Sequence, residues 1–463
     1  MRVTWLKRTI AAGVAALGLS MPLAAPAETL ADALISAYKS SNILQQQRAL
    51  LRVADEDVVL ARAGLLPVIN FVSQTSFRAP AQAGGIKLDN WTNTTSITAA
   101  LTVYDNGVTR YATDAAKETV LGLRGALLQV EQQILLNAVQ AYMEMIRSAQ
   151  SVSLGQNNVR LITTELRAAR DRFEVGEVTR TDVAIAEARL AAARGNLAAN
   201  VGDLEIARET FKALVGRYPG NLRWPTAPPM IARTEDAAKA IAVRRHPSIE
   251  EAQRNVNAAE ANVLRARAAI GINVSTSASV SVDQDFDQSF NAGLTVTVPI
   301  YRAGTLRSLM RQAVARRDLA RAGLLQSVVI VRQGVGTAWA NLAVSQARTE
   351  ASRRQVRASQ VAYNGVREEA KFGSRTTLDV LNAEQELLDA RSSLISAEVA
   401  QYVSVYSLLS AMGLLTSDHL NLGIVTYDPI EYYKYATTRD PLQALSTRGL
   451  RLDRVLRALG GGN

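Results

Sequence analysis

Most of the chain repeats apolar residues at helical spacing, and two stretches switch to strict alternation. From Gly107 to about Val175 the helical pattern runs almost without interruption, and at about 1.5 Å per residue it predicts a helix of roughly 100 Å. Shorter helices are predicted near Thr29–Tyr38 and from the Ser41-Asn42 break to about Leu66. A second set covers Glu235–Arg245 and, after His246-Pro247, runs to about Ala269. Thr29 and Thr234 are suited to N-caps, and Pro247 to a first helical turn. The alternating stretches have period two. In one, Ile272, Val274, Thr276, Ala278, Val280 and Val282 alternate with Asn273 and four serines, and after a loop Phe290, Ala292, Leu294, Val296, Val298 and Ile300 alternate with Asn291, Gly293, Thr295 and Thr297. The other sets Ile69, Phe71 and Phe77 against Asn70, Gln74 and Ser76, then Ile97, Ala99, Leu101 and Val103 against Thr94, Ser96, Thr98 and Thr102. Apolar/small-polar alternation of about ten residues marks a membrane β-strand, with one face to lipid and one to water. Soluble sandwiches carry the same alternation; a basic, then apolar, N-terminus and the insertion between very long helices favour the membrane. Four strands cannot close a barrel, and an open sheet in lipid leaves unpaired backbone at its edges. Several chains must then share one barrel.

The second feature is a duplication. Residues 172–194 read RFEVGEVTRTDVAIAEARLAAAR and residues 369–391 read EAKFGSRTTLDVLNAEQELLDAR. Gly176 pairs with Gly373, Asp182 with Asp379, Val183 with Val380, Glu187 with Glu384 and Arg194 with Arg391, always 197 positions apart. Tyr104-Asp105-Asn106-Gly107 and Tyr301-Arg302-Ala303-Gly304 share that offset. Ala54, Val58, Ala61 and Arg62 match Ala259, Val263, Ala266 and Arg267 at an offset of 205, so a longer loop (Arg78–Asn90 against Asp283–Ser289) sits in the first half. One hairpin unit is used twice. The reading is residues 28–225 as a first repeat with a strand hairpin at 68–103 and a helical tip near 175–183. Residues 226–423 form a second repeat, with a strand hairpin at 271–301 and a tip near 372–380. A tail at 424–463 that loses the periodicity is expected to be mobile.

Composition narrows the class. Aromatic residues make up 5% of the 463, too few for a conventional large core, while Ala-rich seams suit close helix packing. Arg2, Lys7 and Arg8, an apolar run from Ile10 to Leu19 and Ala25-Pro26-Ala27 read as a signal peptide over 1–27, cleaved before Glu28. There is no cysteine, which excludes disulfides, thiolate metal sites, cysteine nucleophiles and a lipidated N-terminal cysteine. The formal charge of +10 is spread among alternating charges without a dense basic run, so no nucleic-acid partner is expected. No G-x-S-x-G, H-E-x-x-H, Gly-rich phosphate loop or CxxC motif is present, so no catalytic residue, cofactor or metal is assigned. His246 and His419 stand far apart in sequence beside predicted helix ends.

Signal, duplicated tips and two strand hairpins within long helices resemble the TolC family of outer-membrane efflux proteins, in its non-lipidated branch. The resemblance covers roughly Glu28 to Leu422 and is sharpest at VGEVTRTDV (Val175–Val183) and FGSRTTLDVLNAE (Phe372–Glu384). It implies a fold class that is mainly α with membrane β: a coiled-coil α-helical barrel continued by a β-barrel shared between protomers, twelve-stranded in a homotrimer. It also implies the outer membrane of a Gram-negative bacterium, its lipid, a periplasmic adaptor (membrane fusion) protein, and an inner-membrane pump or ABC transporter. By this resemblance Thr181, Asp182, Arg375, Asp379 and Asn382 fall at the tunnel entrance. The tyrosine that usually accompanies the arginine falls at Ala370, and the second acid at Asn382, so latch and acidic ring are both thinner here. Val175, Gly176, Thr179, Phe372, Gly373 and Thr376 fall at the adaptor-docking tips.

Each residue also has a plainer role. Gly176 and Gly373 suit helix-ending turns with positive φ; Asp182 and Asp379 suit helix capping; Arg375 suits a solvated tip charge. Phe71, Phe77 and Trp91 read as membrane-interface aromatics. The functional expectation is a passive exit duct for efflux or type I secretion. A periplasmic coiled-coil structural or adaptor protein without a barrel is the alternative.

Overall fold

A computed structural model describes residues 28–77, 91–225, 229, 232–424 and 426–438. The expected signal peptide, the loop 78–90 and the tail beyond 438 lie outside the described residues. The described residues begin with helices α1 (Leu30–Ser40) and α2 (Asn42–Ala63) and strands β1 (Val68–Phe77) and β2 (Trp91–Tyr104). Helices α3 (Val108–Glu174) and α4 (Arg180–Val215) follow. The second half repeats the order with α5 (Glu235–Arg245), α6 (Pro247–Ala268), β3 (Asn273–Val282), β4 (Gln288–Thr297), α7 (Thr305–Lys371) and α8 (Thr377–Ala411), and α9 (Pro429–Thr438) ends it.

Local chemistry sets these ends. Ser41 caps α2 by accepting the Leu44 N–H, and Thr234 caps α5 by accepting that of Ala237. Pro247 takes the first turn of α6, where its missing N–H costs nothing. Strand β4 stops at Thr297 rather than running to the expected 301, because Pro299 has no N–H to continue the ladder.

The two long helices α3 and α7 each contribute to two compact units. One unit is built from Ala138–Pro228 and Ser352–Val399 with the segment ending at Ala37. Its interior holds the fully buried Tyr142, Phe211 and Val215. The Tyr142 hydroxyl lies 2.6 Å from the Arg223 carbonyl oxygen and 3.0 Å from that of Glu28. The Glu28 carboxylate accepts the Gly220 N–H at 2.8 Å and meets Arg217 at 2.8 Å, which fixes the start of the described chain.

The other unit is built from Tyr38–Asn137, Pro229–Ala351 and residues from Ala400 onward, and contains the sheet. Its helical core packs Ala238 and Ala242 against Val331, Val335, Leu342, Val405, Leu408 and Met412. Strands pair antiparallel in the order β1-β2-β3-β4, so each strand hairpin supplies one half of the sheet. Register aligns Phe71, Ile97, Val280 and Phe290 in one row across all four strands. All four are exposed, from 49% to 71%. The adjacent row reads Asn70, Thr98, Ser279 and Asn291. Successive residues face opposite sides of a sheet, so one face presents bulky apolar side chains and the other small polar ones. Phe77 and Trp91 pair directly at one end of the first hairpin, with ring centroids 5.1 Å apart.

Within the stretch read as a tail, residues 429–438 form α9, which packs on α2. Arginines hold the segment through tyrosine faces: Arg48 over Tyr427 at 5.1 Å, Arg52 over Tyr432 at 5.7 Å and Arg124 over Tyr433 at 5.8 Å. The Tyr432 hydroxyl donates to Glu56 at 2.9 Å.

Candidate functional site

The two tips join α3 to α4 and α7 to α8 by the same five residues of backbone chemistry. Gly176 has φ +80° and Gly373 φ +77°, the left-handed region that ends a helix and favours glycine. The Gly176 N–H donates to the Phe173 carbonyl at 3.0 Å and the Glu177 N–H to that of Arg172 at 2.9 Å. Their counterparts, Gly373 to Ala370 at 3.2 Å and Ser374 to Glu369 at 3.1 Å, stand 197 positions on. No atom lies within 4 Å of where a Cβ would project from either glycine, so the backbone conformation alone demands glycine.

The descending helices start on reciprocal caps. Thr179 Oγ1 accepts the Asp182 N–H at 3.3 Å, while Asp182 Oδ2 accepts the Thr179 N–H at 2.9 Å and its hydroxyl at 2.8 Å. Thr376 and Asp379 repeat this at 3.2, 3.0 and 2.8 Å. The caps are therefore the threonines, and each aspartate is the third-residue partner of a capping box. The Thr179 and Thr376 backbone N–H groups, with their hydroxyls, hold both carboxyls below the usual aspartate range.

Side chains around that shared backbone differ. Arg375 Nε donates to Glu369 Oε2 at 2.8 Å within its own tip, with both groups half exposed. Asn382 accepts Arg189 Nη2 at 3.0 Å, which ties α8 to α4. Thr181 is exposed. Val175 and Phe372, at matching positions, project into solvent at 71% and 86% exposure. A cleft of about 990 Å³ separates the tips, with Glu165, Arg172, Gly176, Arg367, Phe372 and Thr377 on its walls. The structure thus brings Gly176, Thr179, Asp182, Phe372, Gly373, Arg375 and Thr376 to one cleft, leaves Val175, Thr181, Asp379 and Asn382 off its walls, and places Phe71, Phe77 and Trp91 on the sheet.

One residue escaped the sequence reading except as a member of the repeat. Glu384 is buried in α8, and burial, aided by repulsion from Glu165 and opposed by Arg367, pushes its carboxyl up to about 7. The available signal was its spacing: it stands three residues from both Leu381 and Leu387, on the apolar stripe.

The family described as outer membrane efflux protein matches residues 34–217 and 240–414, dividing at the loop between the two repeats. The chain belongs to that family. Outer membrane efflux protein BepC of Brucella suis biovar 1 is 35% identical over 420 residues, covering 89% of this chain and 91% of BepC. Outer membrane protein TolC of Escherichia coli is 24% identical over 422 residues, covering 85% and 84%. The Campylobacter jejuni CmeC outer membrane channel superposes with a TM-score of 0.73 at 15% identity, covering 88% of this chain and 89% of CmeC, which shows the shared fold. As a family member this chain is an outer membrane efflux channel protein, mainly α with membrane β. The family is one of passive channels rather than enzymes.

Proposed function

We propose that this chain is the outer-membrane exit duct of a tripartite efflux or type I secretion system. It is a passive conduit across periplasm and outer membrane, opened when a periplasmic adaptor and an inner-membrane pump or ABC transporter dock. Three copies share one barrel, each giving four strands. The observation that carries this reading is the four-strand apolar row of Phe71, Ile97, Val280 and Phe290 on a sheet whose edge strands β1 and β4 lack further partners among the described residues. An apolar face of that kind suits lipid, and lipid tolerates no open edge. Copies must then complete one another's ladders. This argument also favours the duct over a periplasmic coiled-coil protein, which has no use for exposed Phe71 and Phe290.

Phe71, Phe77 and Trp91 anchor the membrane interface. Val175, Gly176, Thr179, Phe372, Gly373 and Thr376 form the adaptor-docking tips, where two exposed apolar knobs await burial. Thr181, Asp182, Arg375, Asp379 and Asn382 line the entrance, and specificity for the solute rests with the pump. Mass measurement of the full protein extracted in detergent is expected to give three chains per particle. A monomer stable in bilayers overturns the reading.

A further inference from the structure

Glu384 stands between two apolar contacts of α8. Leu381, three residues before it, packs with Ile162 and Leu166 of α3 and Ala186 and Leu190 of α4. Leu387, three residues after it, packs with Tyr363 of α7. Glu384 itself is 4% exposed, and among the described residues neither of its carboxylate oxygens has a hydrogen-bond partner. The Tyr363 hydroxyl, on a side chain 6% exposed, is likewise unpartnered. A carboxylate stripped of water and of hydrogen bonds is costly, whereas the protonated acid is tolerated. The charged groups around it come from three helices. Helix α3 supplies Glu165, which repels a second negative charge; α7 supplies Arg367, which attracts one, and Tyr363. On α8 itself, Arg391 is engaged with Gln360 Oε1 at 2.5 Å.

The first repeat shows what the ionised arrangement looks like. Glu187 occupies the position of Glu384 and Arg170 that of Arg367, each 197 residues earlier. There the two side chains meet at 2.5 Å on the surface, half exposed. In the second repeat no hydrogen bond joins Arg367 to Glu384. The backbone supports both arrangements, and only one repeat buries its glutamate.

We propose that Glu384 is a proton-operated latch within the second hairpin. Protonated, it stays in the seam between α7, α8 and α3. Ionised, with its proton released to water, it leaves the seam for Arg367, as Glu187 has for Arg170, and loosens α8 from α3. Because the folded value lies above the ordinary 4.5, the packed arrangement has its full stability below that value and loses it as pH rises through about 7. The duct reading says only where such a movement matters, and the following test reads packing alone.

The chain has no cysteine, so nitroxides attached through Arg167→Cys on α3 and Glu386→Cys on α8, both exposed positions, report the spacing of these helices in the full detergent-extracted protein. The distance distribution is expected to shift between pH 5 and pH 8.5, with a midpoint near 7. Glu384→Gln is expected to hold the acid distribution throughout, and Glu187→Gln to leave the titration intact. A distribution that ignores pH, or one that still titrates in Glu384→Gln, overturns the proposal. Should Glu384→Gln fail to assemble, Glu384→Met takes its place. Failure of both neutral isosteres also overturns the proposal, since a site that holds a neutral acid accepts them.

Discussion

The two helical tips share a backbone and differ in what surrounds it. Glycine with positive φ, the doubled carbonyl bonds and the Thr-Asp box recur with bond lengths within a few tenths of an ångström. Yet Arg170–Glu187 is a surface ion pair, while its counterpart has a buried glutamate apart from its arginine. Val178 becomes Arg375, which binds Glu369; Leu166 becomes Tyr363. Turn and cap chemistry satisfy orphan helix-end groups, so they tolerate little change. Side chains one turn farther along are free to acquire separate tasks.

The strongest check on the shared part is its packing. Leu190 and Leu387 are matched positions, 7% and 5% exposed. Truncating either to alanine is expected to destabilise its hairpin by about 2–4 kcal/mol, the ordinary cost of a core cavity. Denaturant unfolding followed by hydrogen exchange in each hairpin reads this. A cost at one site several times that at the other breaks the equivalence of the two cores.

Next in size are the caps. Thr179→Ala and Thr376→Ala are each expected to cost about 1 kcal/mol, seen as faster amide exchange in the first turns of α4 and α8. The pH dependence has a definite sign. Asp182 and Asp379 are held below their ordinary 3.8, so their contribution is present above that value and lost as pH falls through the lower folded one. The buried Glu384 runs the opposite way, favouring its packed form in acid. Protection of the first turns of α4 and α8 that holds unchanged at the most acidic pH the fold survives contradicts the capping boxes.

The sequence disclosed this backbone because turn and cap residues act locally. Gly176 and Gly373 announce themselves within nine-residue windows, whereas the pattern reads the caps at Asp182 and Asp379, three residues past Thr179 and Thr376, and the alternation from Ile272 to Val282 places β3 to within one residue. What stayed hidden depends on contacts distant in sequence. Whether a glutamate three residues from a leucine is buried is decided by α3 and α7 together, and Glu384 looks like Glu187 on paper. Helix α9 was hidden for the same reason. Its Tyr432 and Tyr433 are held by Arg52 and Arg124, hundreds of positions away, and no local periodicity records those stacks. Asn382 likewise reads as a lost acid until Arg189 is seen beside it.

A smaller effect tests the divergent part. The Arg170–Glu187 pair is half exposed, so a double-mutant cycle with Arg170→Gln and Glu187→Gln is expected to give a coupling of about 0.2–1 kcal/mol that fades with salt. A coupling of several kcal/mol, unmoved by salt, means that this pair is buried in the assembled protein and that the two repeats are less different than the single chain shows.

The smallest and most specific difference concerns charge at the proposed entrance. Both cap bonds of Asp379 use Oδ2, which leaves Oδ1 outside the cap. If three copies converge at the entrance, three such carboxylates attract cations and bind multivalent ones, in a salt-sensitive manner. Asp379→Asn is expected to lower cation selectivity and block by trivalent cations in single-channel recordings. Asp182→Asn, with the same cap and no assigned ring, should change selectivity less. Restoring a second acid with Asn382→Asp is expected to raise both quantities only slightly, because Arg189, whose Nη2 lies 3.0 Å from Asn382 Oδ1, would neutralise much of the added charge. The double change Asn382→Asp with Arg189→Gln removes that partner and should show the full increase. If the double change raises selectivity no more than Asn382→Asp alone, Arg189 does not set the charge of this ring, and the contact between α4 and α8 is only a tie between helices.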